Sequence, residues 1–236
     1  MPPVGNDIVD LKEPDNCGKS GDERFIRRVF TPEERDRIVG AACPDQLLWA
    51  FWAAKEAAYK AVSRDDSSLC STPKRYSVVL DEGTAHHSCN DDADSTGESP
   101  LDRQKTGKDS DDPEERKGRL VGRVITPAGA AALWIMVTKE YVHALATTGG
   151  SDLGTLIQRV DRVDAGEAGG PSAFVRGKLL HEIALRLKCP IDDLAIRKEP
   201  LDRGAPCVFL RGRPLAAEIS LSHDGRFTAF ALRLPR

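Results

Sequence analysis

The sequence predicts an α+β protein of two similar halves, and three observations predict it. Residues 1–148 read as strand, helices, then strands, residues 172–236 read as helix then strands, and two segments poor in large apolar residues break the chain between them. The first polar segment, residues 81–118, is dense in Asp, Ser, Gly, Glu and Lys. It cannot offset its ordering entropy and is expected to be a disordered insertion. The second, residues 149–171, carries Gly149-Gly150 and Gly169-Gly170-Pro171 around Leu156-Ile157. It reads as a linker between the halves.

Taken in order, residues 4–11 read as the first strand. Thr31-Pro32-Glu33-Glu34 opens a helix with Pro in its first turn and a capping-box Glu. A second helix begins near Asp45, where Leu48, Phe51, Trp52, Tyr59 and Val62 form one core-facing stripe. Residues 75–80, 120–125, 131–138 and 141–146 read as strands. In the second half, Ser172 is expected to cap a helix in which Leu180, Ile183, Ala184 and Leu187 repeat at helical spacing. Residues 194–196, 207–210 and 219–222 are strand candidates, and Asp224-Gly225 turns tightly into residues 227–232.

The 236 residues are 40% hydrophobic, enough for a sizeable core. A net charge of -3 supplies no global basic field, so nucleic acid is not an expected partner. No apolar run approaches the about 20 residues of a membrane helix, and Met1-Pro2-Pro3-Val4-Gly5 does not read as a signal peptide. A cytoplasmic enzyme with no membrane partner is the expectation. Cys17, Cys43, Cys70, Cys89, Cys189 and Cys207 contain no C-x-x-C pair and read as reduced thiols. The group His86, His87 and Cys89 lacks a fourth ligand at suitable spacing and is assigned no role.

The chemistry concentrates in two stretches. In Gly5-Asn6-Asp7-Ile8-Val9, alternate side chains share a strand face, so Asp7 lies with Gly5, Val9 and Leu11 on an otherwise apolar side. An ionised carboxylate there needs a cation, a hydrogen-bond network or a raised pKa. Trp52, Glu56 and Lys60 form one stripe of the second helix, with Lys55 on the adjoining stripe. Magnesium is commonly held by one or two carboxylates plus phosphates, which fits Asp7 and Glu56 closing on a pyrophosphate while Lys60 neutralises remaining charge. The competing structural reading is a surface Glu56 to Lys60 pair worth about 0.5 kcal/mol. Glu34 is fully explained by the capping box and is also a candidate base. Ser222 and His223, adjacent on a strand, point to opposite faces and do not form a nucleophile pair. His223 beside the turn suits contact with an anion, assisted by Ser222 and turn amides, and a purely structural turn is the competing reading.

Gly-x-Asp on a strand, Trp-x-x-Lys-Glu-Ala on a helix and Ser-x-Ser-His before a turn together resemble the 4'-phosphopantetheinyl transferase superfamily. The resemblance covers most of the chain outside the two polar segments. It implies magnesium-dependent transfer of the phosphopantetheine arm of coenzyme A to a serine of an apo acyl, polyketide or peptidyl carrier protein, releasing 3',5'-ADP. It implies, too, a place in fatty-acid, polyketide or nonribosomal peptide synthesis. Two-half members of the surfactin-synthetase-activating type have halves related by a pseudo-two-fold and place the Ser-His half first. Here the order is reversed, which implies a circular permutation. The C-terminal strand would then lie beside the N-terminal one, with the 149–171 segment bridging the old termini. The short holo-acyl-carrier-protein synthase arrangement shares the motif order and is the alternative. The former implies a monomer and the latter a trimer.

Carried over by position, the resemblance implies magnesium at Asp7 and Glu56, coenzyme A phosphates at Lys60 with Lys55 beside it, and Glu34 as a base. It implies nucleotide contacts from Ser222, His223 and Arg176. Three departures stand out. Val9 occupies the place of a third acidic ligand, and Asn6 that of an aliphatic residue expected to point away from Asp7. Ala205 replaces the lysine of Gly-Lys-Pro, with Arg203 or Arg213 as candidate substitutes. The competing function is a catalytically degenerate module of the same fold that binds coenzyme A or a carrier protein.

Overall fold

Strand β1 (Val4–Asp10) lies unusually close to a helix because one side chain is missing. A Cβ on Gly5 would meet Ala57 O at 1.9 Å, so only glycine permits this approach. The helix is α3 (Pro44–Val62), in which Ala50, Ala53, Ala54, Ala57, Ala58 and Ala61 are all fully buried. The expected single apolar stripe is therefore exceeded: small alanines let the sheet and the aromatic residues crowd the helix from several sides. The computed structural model describes residues 1–81, 118–150, 152–164, 166–198 and 205–235. The expected disordered insertion and the group at 86–89 lie, but for Asp81 and Gly118, outside the described residues.

Behind α3 stands an antiparallel five-stranded sheet in the order β1-β5-β4-β3-β2. Its other strands are β2 (Ser77–Leu80), β3 (Arg119–Thr126), β4 (Gly129–Val137) and β5 (Tyr141–Thr147). Helix α2 (Pro32–Val39) has the expected capping box, formed by Thr31 and Glu34. Helix α1 (Glu23–Val29) was not expected. Its seven residues are too few for a periodic pattern, and Asp22, accepting from Phe25 N, is the signal that marks its start.

In the second half, α4 (Gly170–Leu187) begins at Gly169 in a left-handed conformation. Ser172 is thus not the cap, since Pro171 already sits in the first turn and Ser172 follows inside it. Val175, Leu179 and Ile183 of α4 pack on two small sheets. One has the order β7-β8-β9 and the other β10-β11-β6. Their strands are β6 (Ile157–Arg162), β7 (Leu194–Lys198), β8 (Pro206–Leu210), β9 (Arg213–Pro214), β10 (Glu218–Asp224) and β11 (Phe227–Arg233). The segment read as a linker thus holds strand β6, paired antiparallel with β11. As an edge strand it keeps Gln158, Arg159, Asp161 and Arg162, which masked its pattern.

The halves pack intimately. Val4, Trp134 and Leu145 form a cluster with Leu156 and Ala231, and Ile8 packs with Phe227 and Ala229. The outer edge of β1 is covered by side chains of β10: Asn6 N donates to Ser220 Oγ (2.9 Å) and Asp10 N to Asp224 Oδ2 (2.8 Å). The equal offset makes β1 and β10 run parallel, with side-chain acceptors standing where a ladder's carbonyls would be. Arg233 Nη1 donates to Pro2 O at 2.7 Å, so the two described ends of the chain are neighbours. Among the described residues no helix is long and apolar enough to cross a membrane. Cys17, Cys70, Cys189 and Cys207 are free thiols, whereas Cys43 is disulfide-bonded and departs from the reduced state expected of it.

Candidate active site

The pleat of β1 divides its side chains between two jobs. Gly5 and Asp7 face α3, while Asn6, Ile8 and Asp10 face the second half. Asp7 Oδ1 accepts from Lys60 Nζ at 2.7 Å, and Lys60 Nζ donates also to Asn6 O at 3.0 Å. Burial pushes the Asp7 carboxyl above its ordinary range, with Lys60 opposing. Burial also raises Glu56, and the charge of Asp7 raises it further, against a hydrogen bond from Ser71 Oγ at 3.1 Å.

Asp7 and Glu56 line one cavity of about 330 Å³, with Phe25 and Trp52 on its apolar side and His223 and Asp224 from the second half. Val9 lines it as well, an apolar wall where a third carboxylate was noted as missing. Two partly buried carboxylates, Asp7 raised by the charge of Asp224 and Glu56 by that of Asp7, are a donor set that a divalent cation would relieve, and their oxygens match magnesium chemistry. Among the described residues no cluster of three or more His, Cys, Asp or Glu side chains offers a complete ligand set. A cation at Asp7 and Glu56 therefore needs oxygen ligands from substrate and water.

On the other side of Lys60 lies a second cavity, of about 270 Å³, lined by Lys60, Ser63, Arg64, Ala205, Pro206 and Leu221 among others. Arg64, just past the C-terminal end of α3 and four residues after Lys60, was missed by sequence reasoning. It spans the halves, with Nε 2.9 Å from Glu218 Oε2 and Nη1 donating to Ile219 O at 2.8 Å. Its i, i+4 spacing from Lys60 was the available signal. Arg213, one candidate substitute for the missing lysine, is exposed on β9, and Arg203 lies outside the described residues.

Four expected site residues stand elsewhere. Glu34 and Lys55 form a buried ion pair at 2.7 Å. Glu34 Oε1 accepts from Val78 N (2.8 Å) and Oε2 from Thr31 N (2.9 Å), so neither oxygen is available as a base. Lys55 Nζ spends its remaining donors on Pro73 O and Tyr76 O, so it reaches no ligand. Ser222 is buried and its hydroxyl donates to Asn6 Oδ1, whereas His223 is exposed at the first cavity. Arg176 sits on α4 and lines neither cavity.

Asp10 is a further carboxylate that the motif reading passed over. Arg226 grips it with Nε to Oδ2 (2.8 Å) and Nη2 to Oδ1 (2.7 Å), while Arg226 N donates to Oδ2 (2.9 Å). Burial alone would raise Asp10, but these bonds hold it down at about 2. Gly225 makes the grip possible, since a Cβ there would sit 2.5 Å from Asp10 Oδ2.

A family model described as the 4'-phosphopantetheinyl transferase superfamily matches residues 3–98. No curated protein matches the chain. The matched stretch contains Asp7 and Glu56, which line the first cavity, and Lys60, which lines the second and is bonded to Asp7. Over residues 3–98, less than half of its length, the chain is similar to the 4'-phosphopantetheinyl transferase superfamily.

Proposed function

We propose that this protein transfers the 4'-phosphopantetheine arm of coenzyme A to a serine of an apo acyl, polyketide or peptidyl carrier protein, with magnesium, releasing 3',5'-ADP. The observation that carries this reading is the meeting of Asp7 and Glu56 at one cavity, with Lys60 bonded to Asp7 and His223 entering from the other half. Magnesium held by the two carboxylates would neutralise charge on the pyrophosphate of coenzyme A. Lys60, between the two cavities, is placed to offset charge on the leaving phosphate oxygen. The basic second cavity, with Lys60 and Arg64 beside Ala205-Pro206, suits the nucleotide phosphates, and Arg64 supplies a cation near the lysine that Ala205 replaces. His223 is available to an anionic group at the first cavity. With Glu34 occupied in its buried pair, the serine proton passes to a solvent molecule or to substrate phosphate rather than to that carboxylate.

The same reading holds that the two halves are pseudo-symmetric and circularly permuted, supported by the adjacency of Pro2 and Arg233 and by the parallel course of β1 and β10. A cavity shared by both halves of one chain supports a monomer rather than the short-type trimer. The competing reading, a module that binds coenzyme A without chemistry, draws on Val9 in the carboxylate cavity and Ala205 in the basic one.

Intact-mass measurement of apo carrier proteins, incubated with coenzyme A and magnesium, separates the two. A magnesium-dependent gain of one phosphopantetheine, lost in Asp7→Asn and Glu56→Gln by at least about 100-fold, is the expected result. Coenzyme A binding with no mass gain on any carrier would establish the binding module instead.

A further inference from the structure

We propose that Asn6 is a positioning residue for the transfer reaction, and that Ser222 acts through Asn6 rather than by touching the ligand. The inference rests on the transferase reading above. Asn6 is fully buried, and its backbone and side-chain polar groups are engaged. Its N donates to Ser220 Oγ at 2.9 Å, its Nδ2 donates to Ser220 O at 2.5 Å, and its Oδ1 accepts from Ser222 Oγ. Its O accepts from Lys60 Nζ at 3.0 Å, and that same ammonium donates to Asp7 Oδ1 at 2.7 Å.

One residue thus touches Lys60 of the first half and both serines of β10. A buried amide loses heavily when a partner moves away, so these bonds define a narrow optimum for where β10 sits against β1. That placement sets His223 opposite Asp7 and Glu56 in one cavity, and Leu221 opposite Lys60 in the other. An aliphatic side chain at position 6 would fill space but hold no register. Chemistry depends on sub-ångström alignment more steeply than binding does, so loosening this joint reduces turnover more than coenzyme A affinity.

The test is a double-mutant cycle of Asn6→Val and Ser222→Ala, read in kcat, in KM for coenzyme A and in the calorimetric Kd for coenzyme A, with circular dichroism as the folding check. Each single variant is expected to lose about tenfold or more in kcat with KM and Kd changed by less than about threefold. The double variant is expected to be no worse than Asn6→Val, because the serine has nothing further to act on. Multiplying losses, or a Ser222→Ala that raises KM and Kd while sparing kcat, would overturn the inference and restore Ser222 as a ligand contact. Should Asn6→Val not fold, the kcat against KM split of Ser222→Ala decides alone. A wild-type protein that modifies no carrier would bring down the transferase reading and this inference with it, whereas an active wild type with additive losses overturns the inference only.

Discussion

Glu34 and Lys55 bury opposite charges against each other at 1–2% exposure, and their neighbours satisfy every remaining donor and acceptor. Removing one partner strands the other. Glu34→Ala is expected to destabilise the protein by about 3–5 kcal/mol in urea unfolding, while Glu34→Gln that remains folded keeps near-normal transfer. A base at this position would show the reverse, a stable Glu34→Gln with little activity. Capping boxes are legible in sequence, and this one was read, but burial of Lys55 against it, 21 residues later on another helix, was not. His143 poses a different problem. It is buried beside Trp134 with no partner for Nε2 among the described residues, and burial, helped by the Lys60 charge, pushes its imidazole down to about 3. The unfolded chain takes up this proton near pH 6.5 and the folded one does not. Stability is therefore intact above pH 6.5 and falls by up to about 1.4 kcal/mol per unit between pH 6.5 and 3. His143→Leu is expected to remove this acid-side loss, and an unchanged pH slope in paired urea titrations would exclude it.

At the scale of elements, β1 is the piece on which the site depends, because one seven-residue strand presents Asp7 to α3 and Asn6 and Asp10 to the second half. Its alternation was legible, which is why Asp7 and Asn6 were expected on opposite faces. The closeness of β1 to α3 was not, since it depends on an absent Cβ at Gly5 and on alanines that propensity rules score only as helix formers. Gly5→Ala would drive a methyl into the Ala57 carbonyl, a backbone atom that cannot rotate aside. The expected result is a loss of more than about 3 kcal/mol together with displacement of Asp7 from Lys60, seen as reduced transfer by whatever fraction remains folded. Strand β6 escaped prediction for the opposite reason: an edge strand needs only one pairing partner and tolerates charge along its length.

The whole molecule behaves as one cooperative body if its inter-half clusters are as important as their burial implies. Val4, Ile8, Trp134 and Leu145 of the first half are covered by Leu156, Phe227, Ala229 and Ala231 of the second. Trp49, Trp52 and Trp134 all belong to the first half, and α4 to the second. Urea unfolding followed by tryptophan fluorescence and by far-ultraviolet circular dichroism is therefore expected to give coincident transitions. Separate midpoints would mean that the halves are independently stable. Expressed alone, residues 1–148 would expose the apolar face that Ala231 and Phe227 cover and are expected to aggregate.

By itself the sequence determined the mixed helix and strand content, the faces of β1 and α3, and the Gly-x-Asp and Lys-Glu-Ala motifs that fall within the family match over residues 3–98. Those features are local: they follow from periodicity of 2 and 3.6 residues and from side-chain chemistry at short spacing. Tertiary structure alone decided that Glu34 and Lys55 neutralise each other away from the cavity. It alone decided that Ser222 bonds to Asn6, that Arg226 grips Asp10, and that Arg64 spans the halves. Each of those pairings joins residues 21 to 216 positions apart or on different elements, and no periodic pattern encodes a partner at that distance. What selects them is the cost of leaving a buried charge or amide unpaired, which acts only once packing has brought the groups together.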